Sequence, residues 1–337
     1  MRTLALPCAA WTLCGALATL PAQSPLAAKS FLPSDYRNVV CADLAAMRNK
    51  GIWDELQASV LKTVFQQMEK EAGFELGALD RVTSVADPGT GNSWRDTADS
   101  TRVMVFEGNA SLGMPESMRQ HWTEEKIGAF TVRALRDLEL CVNPRPELLV
   151  FGSASVVRPV LEGKPHSGLP SADVMSLLSG RDDSLAYLVF NTALPLLRNE
   201  VLGRVFPDTP WAEGQAPAFV CVRVLATGDA DDPHLGVEAV LRHAAEGAGM
   251  DVSATAADAL LERLAAMPQL RTVKPLLQRV EKKRDRTDLV YSLDLGRARE
   301  AVGQVAALAG LLFKARSAEP VHATIDAPPA PAPQPKK

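Results

Sequence analysis

The sequence predicts an α+β fold made of two similar units, each a mostly antiparallel sheet with helices packed on one face. Three observations predict it. Short apolar segments of strand length recur along the chain with amphipathic stretches between them. Neighbouring segments mostly return through short turns, which antiparallel pairing permits and parallel pairing does not. The order of elements in the first half can be laid loosely over that of the second, with Pro165, Gly168 and Pro170 clustered between them. Hydrophobic content of 47% suffices for a packed core, and 5% aromatics leaves that core to Leu, Val and Ala.

The first unit spans 30–164. Residues 36–41 read as a strand, and Asp43 as the cap of a short helix through Arg48. From Ile52 the apolar residues Trp53, Leu56, Val60, Val64 and Met68 recur every three or four positions, which predicts one amphipathic helix ending near Gly73. A strand at 81–86, a turn-rich loop at 87–93 and a strand at 103–106 follow. A helix is expected after Pro115 through Met118 and Trp122, then strands at 130–134, 138–142 and 148–151. Ser153 or Ser155 would cap a short helix through Val157 and Leu161, limited by Pro159.

The second unit spans 181–314, after a linker at 164–180. Strands are expected at 185–190, 219–225, 236–241 and 289–293, with a helix at 195–206. Asp251 or Ser253 would cap a helix whose apolar face is Ala257, Leu260, Leu261 and Leu264. A helix at 298–313 closes the unit. Residues 315–337 are rich in Ala and Pro and read as a disordered tail.

Residues 1–22 read as a cleaved signal peptide. Arg2 is their only charged side chain, 4–20 is an uncharged apolar run, and small residues follow at Ala18 and Ala22. The run lies at the short limit of the roughly 17–25 residues of a membrane span and contains Pro7 and Gly15, so cleavage is expected instead of anchoring. Cys14 follows Leu13 and Cys8 follows Pro7, and neither neighbour suits a lipobox. The expected location is periplasmic or secreted, with no stable membrane span after cleavage. Net charge of −4 recruits no polyanion and rings for stacking are sparse, so no nucleic-acid partner is expected.

Cys41, Cys141 and Cys221 each sit in an apolar run and read as buried thiols. One disulfide plus one free thiol is the alternative in an oxidising compartment. Chemistry-bearing motifs are weak. Gly152-Ser153-Ala154-Ser155 lies where a hydrolase elbow would sit, but Gly-x-Ser-x-Gly fails in either register. Asp87-Pro88-Gly89-Thr90-Gly91 lacks the Lys and Ser/Thr of a phosphate loop. Asp229, Asp231, Asp232 and His234 lack calcium-loop spacing and read as a solvated turn. Lys282, Lys283, Arg284 and Arg286 read as a solvated hairpin. No catalytic, cofactor-binding or metal residue is assigned.

At Phe31-Leu32-Pro33-Ser34-Asp35, then Val39-Val40-Cys41-Ala42-Asp43-Leu44, then Leu79-Asp80-Arg81-Val82, the chain resembles a class of uncharacterised exported bacterial proteins. These open with a Leu-Pro-x-Asp turn, a strand ending in Asp-Leu and an amphipathic helix. The step Leu149-Val150-Phe151-Gly152-Ser153 is also similar, and the likeness extends over about 31–313. The resemblance implies a two-unit α+β envelope protein and carries no catalytic residues. Export without a reactive constellation suggests a non-catalytic protein that binds an envelope partner: a protein, a peptide or a cell-wall component. The alternative is an exported hydrolase whose site is assembled from distant residues.

Overall fold

The computed structural model describes residues 27–59, 61–72, 74–87, 101–109, 112, 122–166, 168, 171–179, 183–207, 209–228, 232–268, 271 and 274–303. The expected signal peptide, the tail, the helix after Pro115 and the last ten residues of the closing helix lie outside them.

Twelve strands among the described residues form one antiparallel sheet. They are β1 (Asn38–Asp43), β2 (Leu79–Asp87), β3 (Thr101–Gly108), β4 (Thr123–Ile127), β5 (Phe130–Leu135) and β6 (Glu139–Arg145). β7 (Leu148–Ser153), β8 (Ser184–Asn191), β9 (Phe219–Thr227), β10 (His234–Arg242), β11 (Glu281–Asp285) and β12 (Asp288–Arg297) complete it. Their order in space is β11-β12-β10-β9-β8-β1-β2-β3-β7-β6-β5-β4. The expectation of a separate sheet for each half is therefore corrected. β1 pairs with β8, setting Val39 opposite Val189 and Ala42 opposite Ala186. Val39, Cys41, Ala42, Leu185, Ala186 and Val189 are all buried, and strands apolar on both faces belong at the centre of a sheet.

Helices cover both faces, which corrects the expectation of one helical face. Successive strand residues point to opposite sides, while residues directly opposite in a ladder share a side. On one side Val39, Cys41, Val85, Val150, Val189 and Cys221 pack under the turn Ala28–Phe31, under α4 (Ala154–Leu161) and under α5 (Ala172–Leu178). On the other, Ala42, Val82, Leu149 and Leu185 pack under α1 (Leu44–Asn49) and α2 (Ile52–Ala58). Val220, Leu241 and Leu289 on that side meet Met250 and Ala257 of α6 (Ala248–Ala266).

Local differences have local causes. The single helix expected from Ile52 breaks into α2 and α3 (Leu61–Ala72), because Ser59 is extended at φ −87° and ψ 175°. Its Oγ donates to the Leu56 carbonyl at 2.7 Å, satisfying an acceptor that the next helical turn would have used. Trp53 is buried and stacks on Phe65 at 5.7 Å; Val60 and the side chains of Val64 and Met68 lie outside the described set. Trp122 is not helical but directly precedes β4, its ring 5.7 Å from Phe151. The expected linker contains α5, capped by Ser171 Oγ accepting from Val174 N at 3.4 Å. Neither Asp251 nor Ser253 caps α6, whose N-cap position is Gly247; Ser253 is buried and accepts from Trp211 Nε1 at 3.0 Å.

Two buried polar features set the electrostatics of the interior. Arg223 on β9 and Glu238 on β10 are direct cross-strand partners and form an ion pair with side chains 6% and 2% exposed. Arg223 also donates to the Leu177 carbonyl of α5 at 2.7 Å. Cys41, Cys141 and Cys221 are free and buried, and desolvation pushes their thiols up to about 11, 12 and 11. They are therefore protonated at neutral pH and act as small apolar groups. No helix among the described residues is long and apolar enough to cross a membrane.

Candidate functional site

A row of charged residues crosses one end of the sheet. Asp43 ends β1 opposite Arg81 on β2, Arg81 faces Glu107 on β3, Glu107 faces Leu148 on β7, and Leu148 faces Arg145 on β6. Direct partners share a side, so the row reads acidic, basic, acidic, apolar, basic. The residues after β1 close over it, leaving a cavity of about 460 Å³ lined by Asp43, Ala46, Asn49, Asp80, Glu107 and Arg145 among others. That volume lies within the roughly 300–1,000 Å³ usual for small-molecule sites, but this lining is charged where such sites are mostly apolar.

Some of these charges are committed to the fold. Asp43 Oδ1 accepts from Ala46 N at 2.7 Å, capping α1 as expected, and Oδ2 accepts from Arg81 Nη2 at 2.8 Å. Asp80 accepts from Arg48 Nη2 at 2.5 Å, and Arg48 also donates to the carbonyls of Gly77 and Leu79. Others are uncommitted. Glu107 has no hydrogen bond or ion pair with any described residue, and Arg145 likewise has none through its side chain. The buried Nε atoms of Arg145 and Arg81 lack acceptors. Burial raises the Glu107 carboxyl above its ordinary pKa, although Arg81 and Arg145 pull it down. With adjacent strands about 4.8 Å apart, the Cα atoms of Glu107 and Arg145 stand about 10 Å apart across β7. A half-buried carboxylate and a guanidinium in one cavity, neither hydrogen-bonded to another described side chain, suit ionic recognition.

The residues weighed from sequence lie elsewhere. Ser153 occupies the N-cap position of α4 but makes no capping bond, which corrects that expectation; its Oγ accepts from Arg102 N at 3.0 Å. Gly152 beside it serves packing, since a Cβ there would lie 2.6 Å from Arg102 O and 2.9 Å from Val103 Cα of β3. Asp229 and Asp231 lie outside the described residues, while Asp232 pairs with Arg297 at 3.3 Å. Among the described residues no group of three or more His, Cys, Asp and Glu could hold a metal. The basic run forms the β11–β12 hairpin, where Lys282 and Arg284 each reach an α6 carboxylate, Asp258 and Asp251, at 2.5 Å.

No family model and no curated protein matches the chain. Among solved structures it is similar to crystal form I of TP0453, with a TM-score of 0.43 and 8% identity over 85% of this chain and 98% of that one. Crystal form III of the same protein gives 0.42 and 9%, over 82% and 97%. Likeness at this level carries no argument about function.

Proposed function

We propose that this chain is an exported, non-catalytic envelope or periplasmic protein that binds a protein, peptide or cell-wall component, and that it binds through the cavity bordered by Arg81, Glu107 and Arg145. The observation that carries the proposal is the uncommitted charge. Ionising Glu107 costs free energy that its neighbours do not return, because its burial outweighs both nearby guanidinium groups. A side chain retained against stability belongs to function more often than to the fold.

The test uses the empty protein. Glu107→Gln keeps the shape and removes the charge, so at neutral pH its thermal and urea midpoints should lie above those of the parent. A lower midpoint would mean that the carboxylate serves the fold, and the cavity would lose its claim.

Export is part of the same reading. The leader features of residues 1–22 motivate it: one basic side chain, an uncharged apolar run and small residues at Ala18 and Ala22. N-terminal sequencing of the protein recovered outside the cytoplasm should begin between Thr19 and Lys29. A start at Met1 would contradict cleavage.

The two-unit reading is also kept, with boundaries at 30–164 and 181–314. Outward from the β1–β8 pair, β1-β2-β3-β7-β6 and β8-β9-β10-β12-β11 follow the same order. Helical segments fall between the first two strands in each case, α1 to α3 in one and Pro195–Leu197 with its continuation in the other. β4 and β5 extend the first set alone.

A further inference from the structure

We infer that the cavity takes a small zwitterion of the amino-acid or short-peptide class, its ammonium on Glu107 and its carboxylate on Arg145. This rests on the reading of the cavity as a binding site. The argument is one of charge balance. Asp43 is matched by Arg81 and by the α1 backbone, and Asp80 by Arg48; among the described residues Glu107 and Arg145 attract each other only through space, and neither side chain has a hydrogen-bonded partner of opposite sign. Glu147 at the rim is exposed and screened by water.

Other ligand classes fit less well. A simple cation would match Glu107 and leave Arg145 unanswered. A simple anion would do the reverse, and a polyanion would face Asp43, Asp80 and Glu107 together. A ligand with one charge of each sign matches both groups. The separation allows it: at about 10 Å between the two Cα atoms both charged heads reach into the same space, Arg145 acts on the Glu107 carboxyl only through space, and no hydrogen bond joins the two, so a small molecule can bridge them. The apolar part of the lining is Ala45 and Ala46, with Gly108 beside Glu107, so small apolar side chains suit the cavity.

Calorimetric titration of the full mature chain at low salt, with trialanine, N-acetyl-trialanine and trialanine amide, tests this. Trialanine should bind one to one. Each cap removes one charge-assisted contact and should weaken binding about 10-fold or more. In Glu107→Gln the acetylated and free peptides should bind alike, and in Arg145→Gln the acid and the amide should bind alike. Equal binding of all three peptides to the parent overturns the inference, and so does binding of none. The comparison within the parent needs no variant to fold. If none binds while Glu107→Gln still raises the midpoint of the empty protein, the zwitterion falls and the cavity stands; if that midpoint drops, the cavity itself falls.

Discussion

Replacing Glu238 by Ala should cost the fold about 3–5 kcal/mol, because it strands a buried cation. Arg223 and Glu238 lie on neighbouring central strands under α5, and both are almost fully excluded from water. With the carboxylate gone, the Leu177 carbonyl would be the one acceptor that the Arg223 side chain is seen to keep, and its Nε already has none. A buried guanidinium cannot shed its proton to escape that cost. The pair as a whole need not be stabilising, since desolvating two ions consumes much of their mutual attraction. Arg223→Met combined with Glu238→Leu should therefore recover most of the loss. Urea unfolding of the single and double variants measures both effects. A Glu238→Ala protein within about 1 kcal/mol of the parent would show that water reaches the pair.

Trp53→Ala should be comparably severe, at about 3–5 kcal/mol, from lost transfer free energy and the cavity left behind. Trp53 is buried in the core formed by Met47, Ile52 and Leu79, and its ring stacks on Phe65, tying α2 to α3 across the break at Ser59. Gln66 on the exposed side of α3 is the control, and Gln66→Ala should change stability by less than about 0.5 kcal/mol. Glu69 is not an equivalent control, since its Oε1 accepts from Leu76 N at 2.9 Å and fixes the chain entering β2. Urea midpoints decide the matter. A Trp53→Ala protein as stable as the parent would make this face a surface for a partner instead of core.

Much of the fold was legible because burial leaves a pattern. The strands around Val39, Val105, Val150, Val189 and Val240 are apolar and short, and Asp43 carries its own capping signal. The apolar rhythm identified Trp53 as core even though the helix around it is broken. The edge strands were not legible. β4 reads Thr-Glu-Glu-Lys-Ile, and β11 reads Glu-Lys-Lys-Arg-Asp and is exposed throughout. Edges stay charged to prevent further pairing, so they lack the alternation that reveals a strand. The joining of both halves into one sheet depends on β1 meeting β8 far along the chain, and no local pattern encodes that contact.

The cavity was harder still to read. Asp43 and Arg81 stood in the segments that carried the resemblance, but Glu107 and Arg145 look like ordinary charges at strand ends. They become neighbours only when β3, β7 and β6 pair in register. Ser153 drew attention for its place after a strand, yet the chain there is shaped by the close approach of β3 to Gly152.

The binding role of the cavity rests on Glu107 being held against stability, and the pH dependence of that cost tests it most directly. The native carboxyl titrates above its ordinary value of 4.5 because burial disfavours its charged form. Between the ordinary and the raised pKa the native state binds more protons than the unfolded chain, so stability falls as pH rises through that window. Below the ordinary value the cost is absent, and above the raised one it is complete. Urea unfolding of the parent and of Glu107→Gln, from about pH 4 to about pH 8, isolates this contribution because the other titrating groups are common to both proteins. The account predicts almost no advantage for Glu107→Gln at the acid end, growing with pH to a plateau near neutrality. An advantage that is missing at neutral pH, or that grows toward acid, would contradict it.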